Sequence, residues 1–335
     1  MNKIDYNNLN KWLASGKEVA IATVFKTWGS SPRPIGSQLF ISSNGEIEGS
    51  VSGGCVESTV VFEALEAIEK KINKVLCYGV SNENAFSVGL ACGGEIKILV
   101  EPVGLGEGIS INILEKICYN LEIGKPFVLA TNIKTFERLV IEENSENIDL
   151  STTFGFEKEL NLFSNNQSFF EKDWFINKFF PEIDNVIIGA VHITKSLVMI
   201  NDLLGINSII IDPRSSFASS ERFPYHKLIV EWPDEALNKI KLNYSRTALV
   251  TLTHDPKLDD PAIEFSINNK INYIGCLGSK NTHKKRLNRL EAKGFSNNEL
   301  KKLYAPIGID INALNPNEIA LSISSQITSH FNKKN

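Results

Sequence analysis

Two short segments carry thiols in settings where a thiol could do chemistry. Ser52-Gly53-Gly54-Cys55-Val56-Glu57 puts a cysteine where an amphipathic helix starts. Leu90-Ala91-Cys92-Gly93-Gly94-Glu95 puts another in a small-residue turn before a strand. A helix N-terminus offers free amides and the positive end of a dipole, and both favour thiolate over thiol. Gly53 and Gly54 leave the backbone open beside Cys55. Thiolates are soft donors, suited to soft metals or to sulfur transfer. The alternative is a pair of small buried residues in tight turns, since free cysteine is usually buried. The glycine-rich setting shared by Cys55 and Cys92 keeps both readings open. Ser30, Ser31, Pro32 and Arg33 form a stiff polar loop with one cation, which could cap an anionic ligand or be a turn and nothing more.

A second group of candidates lies farther along. Gly189-Ala190-Val191-His192-Ile193-Thr194 has the layout of a dinucleotide-binding turn. However, Val191 stands where a second glycine would let the backbone approach a pyrophosphate, and Thr194 holds the last Gly/Ala position. Asp212 falls about where the ribose-binding acid belongs, roughly 20 residues on; as a turn-forming Asp before Pro213 it is explained equally well. His254, flanked by Thr253 and Asp255, could serve as acid, base or ligand. Gly278-Ser279 before a helix would present free amides to an anion, with Lys280 adding charge; ordinary helix capping favours the same residues. Lys284, Lys285 and Arg286 read as a solvated helix face.

The elements that must position these residues follow from periodicity. Val56, Val60, Ala64 and Ile68 recur at four-residue spacing, which predicts an amphipathic helix from near Gly54. Strands are predicted at Val19–Phe25, Lys74–Cys77, Glu95–Val100, Phe127–Ala130 and Arg138–Ile141. A hairpin is predicted across Ser43-Asn44-Gly45. Glu142 to Ser168, rich in Asn, Ser and Glu, reads as loops and a spacer. From Asp184 the pattern changes to short apolar strands (Val186–Ile188, Ser208–Ile211, Leu228–Val230, Ala248–Leu252, Tyr273–Leu277) separated by helical stretches. Such alternation means a parallel sheet covered on both faces. Gly189, Asp212, His254, Asp255, Gly278 and Ser279 then fall at carboxyl ends of strands, where open parallel sheets bind ligands. The expected fold class is α/β. An N-terminal α+β domain (1–165, with the spacer from about 142) precedes a C-terminal Rossmann-like doubly wound parallel sheet (182–335).

At 335 residues the chain is long enough for two domains of roughly 100–200 residues each. Its net charge of −4 gives no electrostatic footprint for nucleic acid or an anionic membrane. Apolar runs are only strand-length and the first residues have no signal-peptide core, so a cytoplasmic protein is expected. Five widely spaced cysteines, with no CxxC pair, exclude a disulfide framework and a zinc ribbon.

Taken together, these motifs resemble the xanthine dehydrogenase accessory protein family of the XdhC/CoxI type. The resemblance rests on Gly29-Ser30-Ser31-Pro32-Arg33, Ser52-Gly53-Gly54-Cys55-Val56-Glu57, Cys92-Gly93-Gly94-Glu95 and Asp212-Pro213-Arg214. Arg222-Phe223-Pro224, Thr253-His254-Asp255-Pro256, Gly278-Ser279-Lys280, Pro306-Ile307-Gly308-Ile309-Asp310 and Pro316-Asn317-Glu318-Ile319-Ala320 continue it. It spans nearly the whole chain in order. The family's first turn usually reads Gly-Ala-Gly-His, and Val191 departs from it, which bears on nucleotide binding there.

The resemblance implies a chaperone, with no catalytic residue, that binds the pterin molybdenum cofactor (molybdopterin). It would protect the cofactor while a terminal sulfur is installed and hand it to a xanthine dehydrogenase-type molybdoenzyme. A cysteine desulfurase is implied as a second partner, and a homodimer is compatible. Cys55, with Cys92, would sit near the metal end, Cys55 being the candidate metal ligand through the cofactor. Gly278, Ser279 and Lys280 would hold a phosphate, and His254 and Asp255 would be polar contacts. Ser31, Arg33, Gly53, Gly54, Gly189 and Asp212 complete the candidate cofactor-binding set. Two rival classes stand beside this one. An NAD(P)-dependent oxidoreductase is supported by Asp212 and the Rossmann pattern and opposed by Val191. A nucleotide-binding sensor would do no chemistry at all.

Overall fold

The protein was analysed as a computed structural model, which describes residues 3–54, 56–79, 94–143, 153–156, 162–163 and 167–332. The chain divides into two compact units, Met1–Pro181 and Glu182–Lys333.

Unit 1 runs α1 (Lys3–Ala14), β1 (Val19–Trp28), β2 (Gln38–Ser42), β3 (Ile47–Gly49), α2 (Glu57–Lys70), β4 (Lys74–Tyr78), β5 (Glu95–Pro102), α3 (Ile111–Glu122), β6 (Phe127–Asn132), β7 (Arg138–Glu142), β8 (Phe169–Glu171) and β9 (Trp174–Phe179). Five strands form an antiparallel sheet in the order β3-β2-β1-β5-β4. Alternate residues of its strands point to opposite faces. Ala20, Ala22 and Val24 meet the stripe Val60, Ala64 and Ile68 of α2. Val19, Ile21 and Phe40 point the other way, to Leu9 of α1, Leu114 and Ile117 of α3, and Phe127 and Phe179. Those last two belong to a second antiparallel sheet, β7-β6-β9-β8. Arg138 of β7 links the sheets, its Nε donating to Glu101 Oε1 of β5 at 2.7 Å.

The predicted strands and hairpin of this half are present. The Glu142–Ser168 stretch differs from the spacer expected of it. Phe154, Phe156 and Leu162 are buried with Val128, Ala130, Trp174 and Ile176, and β8 and β9 carry the unit on to Pro181. Its polar composition hid a few large apolar side chains, and those determine its packing.

Unit 2 runs β10 (Ile183–Ile188), α4 (His192–Leu204), β11 (Ile206–Ile211), β12 (Lys227–Ile229), α5 (Pro233–Lys239), β13 (Thr247–Thr251), α6 (Pro256–Asn268), β14 (Tyr273–Cys276), α7 (Lys280–Ala292), α8 (Asn297–Leu300), β15 (Leu303–Tyr304) and α9 (Pro316–Phe331). All six strands are parallel, in the order β12-β11-β10-β13-β14-β15. This is the doubly wound Rossmann arrangement, and its order reverses between β10 and β13. Ile187 faces Leu197 of α4 and Ile323 and Ile327 of α9. Val186 and Ile188 face Leu237 of α5, Leu258 and Ile263 of α6, and Leu290 of α7. Burial on both faces is why these strands read as unbroken apolar runs. Gly205 ends α4 in the left-handed region (φ +66°), and Asn315 caps α9 by accepting from the Asn317 and Glu318 amides. No helix among the described residues is long and apolar enough to cross a membrane.

Candidate functional site

Cys55 and Cys92 lie outside the described residues, but the residues on both sides of Cys55 and Gly94, two residues after Cys92, are described, and both stretches meet the Ser30 loop. A Cβ added to Gly94 would collide with the Ser30 carbonyl oxygen and come 2.8 Å from that of Trp28. Gly94 is therefore required for the chain to pass the Ser30 loop. A Cβ on Gly53 would lie 3.7 Å from Pro32 Cβ, and Arg33 Nε donates to the Ser50 carbonyl at 3.3 Å. Ser31 Oγ turns back onto the Arg33 carbonyl at 2.8 Å. Segments far apart in sequence are thus brought to one end of the five-stranded sheet, where β1 ends beside the start of β5.

The open backbone expected beside Cys55 needs correction. Glu57, the first residue of α2, reaches back and accepts from the Gly54 amide (2.7 Å), the Ser52 amide (2.9 Å), the Val51 amide (3.3 Å) and Ser50 Oγ (2.8 Å), as well as from Ser52 Oγ. The Gly53 amide donates to Ser50 Oγ and the Val56 amide to Ser52 Oγ. The described amides of this loop are therefore used internally. Burial alone would raise the Glu57 carboxyl, but the donors from Ser52 and Ser50 outweigh it and hold the group down at about 2. Sequence reading gave Glu57 no role. The available signal was its place three residues after Gly54, the spacing of a side chain that reaches back to a helix start.

In unit 2 the candidates gather at the carboxyl ends of β10, β11, β13 and β14. Gly189 has φ +110°, and a Cβ there would lie 2.6 Å from Thr253 Cγ2, so the chain passes between β10 and β13 only as glycine. The Ala190 amide donates to Asp212 Oδ2 at 2.8 Å. Asp212 is fully buried and also accepts from the Arg214 amide (3.0 Å), Arg214 Nε (2.8 Å) and Arg214 Nη2 (2.7 Å). Burial pushes the Asp212 carboxyl up, yet these donors hold it below the usual range. The turn-forming reading of Asp212 therefore describes its bonds, and both of its oxygens already have donors. Arg222 Nη1 covers the Ala190 carbonyl at 2.8 Å, and the Arg214 guanidinium stacks on Phe217 at 4.2 Å.

Across the reversal point, Thr253 Oγ1 donates to Asp259 Oδ1 at 2.7 Å and accepts from the Asp255 amide at 3.0 Å. Asp255 caps α6 by accepting from the Lys257 amide at 2.9 Å, and His254 is exposed in the left-handed region (φ +63°). One strand farther on, Ser279 caps α7 by accepting from the Thr282 amide at 3.2 Å. Lys280, Lys284 and Lys285 are exposed, as a solvated helix face requires.

Arg286 breaks that pattern: its side chain is only 2% exposed. Its Nη2 donates to the Leu277 carbonyl at 3.0 Å and stands 3.9 Å from Asp259 Oδ2, while Nε and Nη1 are buried without a partner. Each buried donor left unmade costs about 1–3 kcal/mol. Burial raises the Asp259 carboxyl, against the pull of Thr253 and Arg286, and drives the buried Cys276 thiol up to about 11. Asp259 and Arg286 were missed because charged letters in helices look solvated until tertiary structure buries them; Arg214, which stays partly exposed, stood in the family motif with no role of its own. Among the described residues, no group of three or more His, Cys, Asp or Glu side chains is arranged to hold a metal ion.

Comparison with known proteins yields consistent matches. The family profile described as XdhC Rossmann domain matches residues 186–327, and that of the XdhC and CoxI family matches residues 12–79. A probable xanthine dehydrogenase subunit of Bacillus subtilis is 26% identical over 95% of each chain. The molybdenum cofactor insertion chaperone PaoD of Escherichia coli is 27% identical over 95% of this chain and 85% of that one. A crystal structure of a xanthine dehydrogenase from Bacillus halodurans superposes with a TM-score of 0.73 at 23% identity, covering 97% of this chain and 95% of that one. This last likeness is one of fold.

Proposed function

This chain belongs to the XdhC and CoxI family, and from that premise we propose that it is an accessory chaperone for the molybdenum cofactor. In this reading it binds molybdopterin as cargo, supports its sulfuration with a cysteine desulfurase as donor partner, and delivers it to a xanthine dehydrogenase-type molybdoenzyme. Likeness along nearly the full chain to a molybdenum cofactor insertion chaperone supports the reading. The structural observation that carries it is the meeting of the Ser30–Arg33 loop, the Ser50–Gly54 loop and Gly94, which are the segments next to both candidate thiols. A pterin dithiolene calls for soft sulfur chemistry and its phosphate for an anion site. In the first unit the proposed soft donors are Cys55 and Cys92, with Ser31, Arg33, Gly53 and Gly54 as the accompanying candidates. In the second unit the proposed anion-binding turn is Gly278-Ser279-Lys280, with His254 and Asp255 as polar candidates at the next strand end. A homodimer is compatible with the reading.

Glu57 has a defined part in this proposal. It fixes the amides of Ser52 and Gly54, the described residues that precede Cys55. The NAD(P)-dependent oxidoreductase is disfavoured on one observation. The Ala190 amide of the glycine turn is donated to Asp212, and Arg222 covers the Ala190 carbonyl.

The test is retention. Molybdenum and pterin bound by the purified protein are measured for the wild type and Cys55→Ala, with folding checked by thermal melt. Cys55→Ala is expected to lose most of the molybdenum while keeping its melting temperature, and equal retention would remove Cys55 from the proposal. Titration with NADH and NADPH is expected to show no micromolar binding. Tight binding with hydride transfer would favour the oxidoreductase instead.

A further inference from the structure

The buried arginine beneath the Gly278–Ser279 turn pairs with the buried Asp259 at 3.9 Å and still leaves two of its nitrogens without a partner. A guanidinium carries five donors and stays charged under all ordinary conditions. Arg286 satisfies one of them on the Leu277 carbonyl, the residue just before Gly278. Asp259 Oδ2, at 3.9 Å, is beyond hydrogen-bond range. The acid next to Asp259 does not fill the donors that remain. Asp260 is held by Arg289 through two bonds, at 2.6 and 2.9 Å. Burial and the Arg286 charge push His283, one turn away on the same helix, toward its neutral form.

Above this cation, the turn has the form that anion sites take. Gly278 has φ +137°, and a Cβ there would press on Thr282 at 3.0 Å, so glycine lets the turn fold closely onto the start of α7. Ser279 Oγ takes the Thr282 amide, and the first-turn amides of Lys280 and Asn281 have no intrahelical acceptor. The helix dipole, the first-turn amides and the Arg286 guanidinium, tied by Nη2 to the Leu277 carbonyl, lie together at the carboxyl end of β14.

We infer that Arg286 is the buried cation of a phosphate-monoester site formed with the Gly278–Ser279 turn and the N-terminus of α7. The inference rests on the reading of Gly278-Ser279-Lys280 as a phosphate turn, and it adds the residue that makes the site selective for a doubly charged anion. The phosphate could come from a pterin cofactor or from a nucleotide, since both present the same terminal group.

The experiment is titration of the full-length protein with inorganic phosphate at constant ionic strength, by calorimetry and by nitrogen-15 NMR of arginine Nε–H groups. The wild type is expected to saturate at one site, with the Arg286 Nε–H resonance moving in step. Arg286→Lys keeps a charge but loses the fork, and should weaken binding about tenfold or more. The double variant Lys284→Ala/Lys285→Ala should bind as the wild type does. Absence of saturable binding, a silent Arg286 resonance, or equal loss in the lysine variant would each overturn the site. If Arg286→Lys does not fold, the wild-type resonance decides the question alone.

Molybdopterin retention, measured separately, keeps the two proposals apart. A chain that retains molybdopterin but ignores phosphate sinks this site only, whereas the reverse result sinks the chaperone reading and leaves the site standing. Blocking of the phosphate site by molybdopterin loading identifies the cofactor as the source. Displacement of phosphate by AMP identifies a nucleotide, and either result supports the site.

Discussion

Glu57 and Asp212 solve one problem in two places. Each is a carboxylate that gathers backbone amides and so fixes a loop next to a candidate site. The acid dependence of Glu57 follows from its lowered value of about 2. A carboxyl depressed in the folded state stabilises fully above its unfolded value, and that contribution fades as pH falls toward the folded value. Glu57→Gln should therefore lower stability near neutral pH by about 1–3 kcal/mol, since several amides lose a charged acceptor. It should also flatten the decline between roughly pH 4.5 and 2, which urea melts across that range will measure. A variant whose acid profile runs parallel to the wild type would show that the loop does not depend on this charge. Asp212→Asn should cost about 1–3 kcal/mol, as the Ala190 and Arg214 amides lose a charged acceptor while Arg214 itself stays partly solvated; the shift in melting temperature reports it.

At the level of elements, the reversal of strand order places the candidate residues. Gly189 ends β10 and Thr253 follows β13, and the two strands are parallel neighbours. Gly189→Ala puts a methyl group 2.6 Å from Thr253 Cγ2 in a left-handed backbone. It should cost about 1–3 kcal/mol and disturb the Thr253–Asp259 bond. A crystal structure or amide chemical shifts around residues 253–259 would check this, and an unperturbed loop would show the close approach to be dispensable. Gly205→Ala, at the end of α4, makes a useful comparison, because its glycine serves only the cap.

For the whole molecule, the cores close within each unit. Ile187, Val250 and Ile323 pack among residues of 182–333, and Ala22, Val60 and Ile98 among residues of the first unit. A fragment of residues 182–333 should therefore fold alone, with a cooperative thermal transition and dispersed amide spectra. A fragment that stays unfolded at all concentrations would show that unit 2 needs the remainder of the chain.

How much of this was legible in the sequence differs by residue. The turn at Gly189 and the cap at Ser279 were legible because turns and caps demand particular residues at particular offsets, a local rule that one chain can reveal, whereas the Asp255 cap went unread. Strands β10 to β14 were found because burial on both faces leaves unbroken apolar runs, whereas β15, two residues long, leaves none. The family was identifiable because weak motifs recurred in order. The strand order β12-β11-β10-β13-β14-β15 was not readable, since long-range pairing leaves no local mark. Nor were the burial of Arg286 inside a basic run, the use of the Ser52–Gly54 amides by Glu57, or the packing of Phe154 and Phe156. Local rules determine where chains turn and which faces are apolar. Which polar group ends up beneath which turn depends on contacts between segments distant in sequence, and those exist only once the sheet has formed.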